Sequence, residues 1–327
     1  MKNNKWCSFY AGHIEQYVHM KQQLGFKFQV GIVILSLVDR MAVQRAETTL
    51  GITKDFADAW AKKRPNESDI YRYDRVRYLA CFSAYLQDNG IPSHIPKLLP
   101  YRKSTFIPYI YSSEDMKSLF KAIDELQLVS IHKSSALICL PTIIRLLYAT
   151  GLRISEALAL KEEDVNLKDN YLRVRDSKNG KERIIPISES LVKVCKTYKI
   201  YRDRLPHKNN KESLSFFVKI NGMPCTYQAV SKWFKKCLET ASITHTGELR
   251  IHDLRHTFAV NSLASMAQAG LDLYVSLPIL SNYLGHQTIE STEHYVRLTA
   301  SHYPDLIKDV DLICMNVFPK FKQDETN

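Results

Sequence analysis

No run of 18 apolar residues occurs in this 327-residue chain. The longest candidate, "VGIVILSLV" at 30–38, is half that length, so no membrane-crossing helix is expected. The opening "MKNNKWCSFYAGH" lacks the apolar core of a secretory signal. Cysteine is scarce, odd in number at seven, and scattered, with no CxxC pair. A disulfide framework and a structural zinc site are therefore both poorly supported, and a reducing, cytoplasmic setting is expected. There is no GxxxxGK[ST] loop for nucleotide phosphates and no ExxH cluster for a metal, so no cofactor is expected. Solenoid repeats and low-complexity tracts are absent too.

What is present is positive charge. The formal net charge is +11 and the sequence pI about 9.2, a balance that favours polyanionic partners. Residues 1–105 hold 16 Lys+Arg against 9 Asp+Glu, which places +7 of the +11 in a third of the chain. There "KKR" (62–64) and "YRYDRVRY" (71–78) interleave cations with tyrosines, although any one such cluster also fits a solvated helix face. Hydrophobic residues make up 45% and charged residues 24%, enough apolar material for a sizeable core, and the length suits two domains.

Apolar spacing predicts helices over 10–24, 30–45, 53–63 and 68–88, with Thr53 as an N-cap and "NG" at 89–90 closing the fourth. Between 91 and 108 the periodicity fails. Pro92, Pro96, Pro100 and Pro108, with Lys97, Arg102 and Lys103 among them, describe an extended basic linker. A second domain, 109–300, opens at Ser112 and Asp115, which have capping-box spacing. The apolar stretch 136–149 predicts a buried helix begun or kinked near Pro141, ended by Thr150-Gly151. "NYLRVRD" and "KERIIPI" alternate around "SKNGK" (177–181), a strong hairpin signal. Helices follow at 188–204, 226–240, 252–266, 275–284 and 288–297. Residues 301–327 form a C-terminal segment, amphipathic over 304–318. The fold class is thus mainly α: an all-helical domain over 1–90, then a mostly helical domain with a small antiparallel β-sheet.

Several polar residues stand out by position. Arg153 follows the Thr-Gly break between two apolar helices, and Glu156 lies three residues on, where it can orient that guanidinium. Lys178 is at the hairpin tip. His252 and Arg255 share one side of a helix in "IHDLRHTF", and His286 precedes Tyr295 by nine residues. Singly, each has an ordinary explanation as a helix-end cation, a solvated lysine, an exposed helix face or one tyrosine among 18. Together they suit a phosphodiester. Two arginines hold non-bridging oxygens, a lysine protonates a leaving alkoxide, imidazoles handle the attacking proton or donate to the phosphate, and a tyrosine attacks.

The ordered set "LLYATGLRISEALAL", "SKNGKERIIPI", "IHDLRHTFA" and "LGH" with its tyrosine nine residues on resembles the tyrosine recombinase, or phage integrase, family over about residues 108–300. That resemblance implies catalytic roles for Arg153, Lys178, His252, Arg255, His286 and Tyr295, with Glu156 accessory. It implies a core-binding role for the basic first domain and no cofactor. The partners it implies are double-stranded DNA recombination sites and a homo-oligomer, a tetramer on two DNA sites, or related recombinase subunits. It leads to a site-specific recombinase acting through a 3′-phosphotyrosyl intermediate, as the integrase or transposase of a mobile element. The alternatives are an Xer-type chromosome dimer resolvase, a type IB topoisomerase and a non-catalytic DNA-binding regulator. Arg255 and His286 are 31 residues apart, more than in compact bacterial members, and the surplus falls around 265–278. No arm-site-binding module is expected ahead of residue 1, and the C-terminal segment resembles the element that docks on a neighbouring protomer.

Overall fold

The computed structural model describes residues 6–100, 106–126, 135–175, 182–205, 215–286, 288 and 290–303. The chain divides into two compact units, 1–106 and 107–327.

The first unit is helical: α1 (Ala11–Gln23), α2 (Gln29–Gln44), α3 (Lys54–Ala61) and α4 (Asp69–Asp88). Its starts are written in short polar side chains. Thr53 Oγ1 accepts the Phe56 amide at 3.1 Å and Ser68 Oγ the Tyr71 amide at 3.2 Å. Ile34, Leu35, Val38 and Ala42 on α2 meet Val76, Leu79, Phe82 and Leu86 on α4, and the spacing puts each set on one helix face. Aromatic rings fill the remainder, Tyr10 meeting Phe56 and Phe82 edge-on. Helix α3 ends at Ala61, two residues before the expected Lys63, because Lys62 turns extended.

A cation is buried in this unit. Arg75 is fully enclosed, with Nε donating to Glu67 Oε1 at 2.8 Å and Nη2 to the Lys62 carbonyl at 3.0 Å. Its guanidinium lies over the Trp60 ring at 4.8 Å. It therefore ties the end of α3 to α4, a structural task rather than one of binding a partner.

The second unit contains α5 (Ser113–Asp124), α6 (Leu140–Thr150), α7 (Ile154–Ala159), a 3₁₀ turn (Glu162–Asp164), β1 (Val165–Asn166), β2 (Tyr171–Val174) and β3 (Arg183–Pro186). After the sheet come α8 (Glu189–Asp203), α9 (Tyr227–Thr240), α10 (Asp253–Gln268), α11 (Leu273–Leu284) and α12 (Glu290–His302). The sheet is antiparallel in the order β1-β2-β3, with Leu172 opposite Ile185 on its buried face.

Helix α6 is buried nearly all round, through Leu140, Ile143, Ile144, Leu146 and Leu147, and packs against α5, α8, α9 and α10. It begins at Leu140; residues 136–139 form a turn ahead of Pro141 rather than the first turn of the helix. The capping box of Ser112 and Asp115 is present, with both bonds at 2.9–3.0 Å. Lys178 and the hairpin tip lie outside the described residues, as do 304–327. Among the described residues no helix is long and apolar enough to cross a membrane.

Candidate active site

Helix α6 stops where Gly151 takes a φ of 61°. Glycine is needed there twice over. The left-handed backbone disfavours a Cβ, and a Cβ would lie 2.3 Å from the Phe258 ring. Arg153 then caps α7 in an extended conformation. Glu156, in the first turn of α7, accepts the Arg153 backbone N–H at 3.0 Å and its Nη1 at 2.9 Å. The same carboxylate holds Arg183 of β3, whose Nη2 and Nη1 donate at 2.8 and 3.2 Å. Arg183 Nε donates in turn to the Tyr283 carbonyl at 2.9 Å, near the end of α11. Burial opposes the Glu156 charge. Hydrogen bonds from Arg183 and the Arg153 amide, with the two positive charges, outweigh it and hold the carboxyl below the usual range.

Arg255, in the first turn of α10, is buried. Its Nη1 donates to the Gly151 carbonyl and its Nη2 to the Leu284 carbonyl, both at 2.8 Å. Those are the C-terminal ends of α6 and α11, where unpaired carbonyls and the helix dipoles offer partial negative charge to a cation. Burial, then the neighbouring Arg153 charge, lowers its pKa to about 10, so it stays ionised at neutral pH. Nη2 also lies 3.0 Å from His286 Nε2. A guanidinium only donates, so Nε2 must accept. The ring proton is then on Nδ1, which donates to Thr292 Oγ1 on α12 at 2.7 Å. Gly285, at φ 67°, ends α11 and delivers His286 to this point.

Tyr295 on α12 is 2% exposed. Its ring lies nearly parallel to that of His286, centroids 6.2 Å apart, and its Oη is 3.1 Å from His256 Nδ1. Burial raises the phenol pKa, while the Arg255 charge and hydrogen bond, and the Arg153 charge, pull it back. His252, the N-cap of α10, meets His256 edge-on at 4.8 Å. On α12, His294 stands 5.8 Å from His256 and 3.9 Å from Tyr295.

The imidazoles here are weak bases in the free protein. His252 is lowered to about 4, by burial of its inner face and then by Arg255, Arg250 and Arg153. His286 is also lowered to about 4, by burial and then by Arg255 and Arg153. His256 falls to about 3, by burial and then by His252 and His294. All three are neutral at pH 7.

The structure thus brings Arg153, Glu156, Arg255, His286 and Tyr295 together from three helices, α7, α10 and α12, and the loop after α11, with His252 at their edge. Lys178 is not among the described residues. Three residues of the cluster are not apparent from sequence reasoning: Arg183, His256 and Thr292. Arg183 sits in a strand where an alternating cation ordinarily faces solvent, and only the fold shows it turned toward Glu156. The signal for His256 was available, since it stands four residues after His252 and so on the same side of α10.

Three guanidiniums (153, 183 and 255) stand against one carboxylate (156), a surplus of positive charge that suits an oxyanion such as a phosphodiester. A buried phenol beside that surplus is placed to attack it. Among the described residues no group of three His, Cys, Asp or Glu could hold a metal ion.

Known proteins resemble the chain in sequence and in fold. The model of the phage integrase family matches residues 111–302. A putative integrase/recombinase, y4rB, of Sinorhizobium fredii is 31% identical over 305 residues, covering 90% of this chain and 94% of that protein. The tyrosine recombinase XerA of Pyrococcus furiosus is 30% identical over 70% of this chain and 71% of its own length. Among solved structures, the Tn1549 transposon integrase in complex with a circular-intermediate DNA superposes with a TM-score of 0.61 at 19% identity, over 86% of this chain and 94% of that one. The XerH site-specific recombinase in its post-cleavage complex with palindromic difH DNA also gives 0.61, at 18% identity, over 84% and 78%.

Proposed function

The chain belongs to the phage integrase family of tyrosine recombinases, enzymes of DNA strand exchange, and from that premise we propose a specific mechanism and role. Tyr295 attacks the scissile phosphate of a recombination site, giving a 3′-phosphotyrosyl ester and a free 5′-hydroxyl. A 5′-hydroxyl from the partner duplex then attacks the ester and releases the tyrosine. The bond energy stays in the ester, so the cycle needs neither a metal nor a nucleotide.

Arg153 and Arg255 bind the non-bridging oxygens, and their hold tightens as equatorial charge builds in the transition state. Glu156 is accessory: it fixes the Arg153 fork from one side and Arg183 from the other. His286 braces Arg255 by accepting from its guanidinium through Nε2, and His252 flanks the same oxygens. Lys178, at the tip between β2 and β3, protonates the leaving 5′-oxygen. Residues 1–90 grip the duplex as a core-binding domain through phosphate contacts, and 91–108 link them to the catalytic domain, 109–300. The active assembly is a tetramer on two sites in the bacterial cytoplasm.

The observation that carries this reading is the meeting of Arg255, His286 and Tyr295 in one buried cluster, with the arginine bonded to the imidazole at 3.0 Å and the phenol over that ring. We assign the biological role to a mobile element, as integrase or transposase, because the relative matched over nine-tenths of this chain is named an integrase/recombinase. Chromosome dimer resolution is the second reading, favoured by the XerA relative.

The test uses nicked duplexes drawn from the DNA that flanks the protein's own gene. Cleavage of such a suicide substrate loses the fragment needed for religation and traps the adduct. Wild type should form a covalent protein–DNA species stable to denaturation, and Tyr295→Phe should not. An adduct that persists in Tyr295→Phe would overturn the assignment.

A further inference from the structure

We infer that His256 is a further catalytic residue, the general base that takes the phenolic proton from Tyr295 as it attacks and returns it at religation. The inference rests on Tyr295 being the nucleophile. A tyrosine attacks as it loses its proton, so the accepting atom must stand within hydrogen-bond reach of Oη. His256 Nδ1 is 3.1 Å from Oη. His286 is committed elsewhere, its Nε2 to Arg255 at 3.0 Å and its Nδ1 to Thr292 at 2.7 Å. His252 meets the His256 ring edge-on, with 4.8 Å between centroids.

The backbone makes the His256 placement firm. His256 follows the buried Arg255 in the first turn of α10, so the residue that anchors the guanidinium also sets the imidazole beside α12. The groups facing His256 are His252, Arg250 and Arg255 from its own side of the chain, and His294 and Tyr295 from α12. In the free protein burial and these neighbours keep the ring a poor base. A phosphodiester held by Arg153 and Arg255 adds negative charge beside the ring and offsets the Arg255 charge, one of the neighbours that lower its basicity, so the ring gains basicity when a target is bound. An idle enzyme then keeps its tyrosine protonated.

The proton balance closes. The Oη–H proton passes to Nδ1 while an Oη lone pair forms the P–O bond. The bond to the 5′-oxygen breaks with its electron pair, and that oxygen is protonated from the opposite side. In the reverse step Oη leaves phosphorus and recovers the proton from the imidazolium.

The experiment is single-turnover adduct formation on the same nicked duplexes, comparing wild type with His256→Asn and His256→Gln. Both amides can keep a hydrogen bond to the phenol but cannot carry its proton. Each variant should bind the duplex as wild type does and form adduct roughly 10²–10⁴-fold more slowly. The deficit should shrink as pH rises, since hydroxide then ionises the phenol. It should also shrink when position 295 carries 3,5-difluorotyrosine, a more acidic phenol with less need of a base. A wild-type rate in both variants would overturn the inference while leaving the nucleophile in place. So would a deficit unchanged by pH and by fluorination, which would make His256 a positioning residue. If wild-type protein forms no adduct on any such duplex, the proposed function fails first and the inference with it.

Discussion

Replacing Glu156 by Gln should cost the second unit about 3 kcal/mol, because the carboxylate is the shared anion of two partly buried guanidiniums. Its side chain is 5% exposed and that of Arg183 is 13% exposed, so solvent screens the pair poorly. Removing one partner of a buried ion pair costs about 3–5 kcal/mol, and an isosteric amide that still accepts one bond brings the figure to the low end. For a unit of this size that corresponds to a melting-point loss of about 6–12 °C. The assay is a pair of thermal melts, wild type and Glu156→Gln, followed by circular dichroism at a series of pH values.

The sign of the pH dependence is fixed by the depressed carboxyl. Its contribution is fully present above the unfolded glutamate value of about 4.3, and it is lost as pH falls through the lower folded value. The gap between the two proteins should therefore be wide at pH 7 and close in acid. Equal melting points at pH 7, or a gap that widens as pH falls, would refute the argument that this carboxylate organises Arg153 and Arg183.

Gly151→Ala should destabilise the second unit by about 2–4 kcal/mol, through its left-handed backbone and the Phe258 ring, with thermal melting as the check. Arg75→Met should lower the stability of the first unit by about 3 kcal/mol, since it takes the guanidinium partner from the enclosed Glu67 carboxylate, and urea titration of the full chain should show it. His252, His256 and His286 are depressed in the fold, to about 4, about 3 and about 4, so stability should fall as pH drops from about 6.5 toward 4. Unfolding near pH 5 should then take up about three protons, measured by calorimetry in buffers of different ionisation enthalpy; no uptake would contradict the burial of these rings. Lys178→Ala should slow cleavage of an ordinary duplex sharply yet recover with a 5′-phosphorothiolate, a leaving group that needs no proton. Failure to recover would count against the general-acid role.

Much of the fold was legible because local signals and long-range packing agree in it. Thr53, Ser68 and Ser112 announce helix starts by the hydroxyl each offers to the amide three residues on. What escaped has physical causes. Strand β1 is two residues long, too short for alternation to register. Residues 136–139 are as apolar as the helix that follows them, so periodicity could not separate turn from helix. The surplus between Arg255 and His286 resolves into α10 running to Gln268 and α11 starting at Leu273. The last helix continues to His302, past the expected 297.

The site was legible in its chemistry and not in its wiring. Arg153, Glu156, Arg255, His286 and Tyr295 carry recognisable types at recognisable spacings. The partnership of Arg183 with Glu156 spans 27 residues and that of His256 with Tyr295 spans 39, and neither leaves a local trace. That Arg255 rests on the carbonyl ends of two helices is likewise a fact of tertiary structure alone.

The most direct test of the central claim is to digest the trapped protein–DNA adduct and sequence the nucleotide-bearing peptide by mass spectrometry. The account predicts the phosphoryl linkage on Tyr295, within "HYVRL" at 294–298. A linkage on any other residue, or a trapped species with no modified tyrosine, would contradict it.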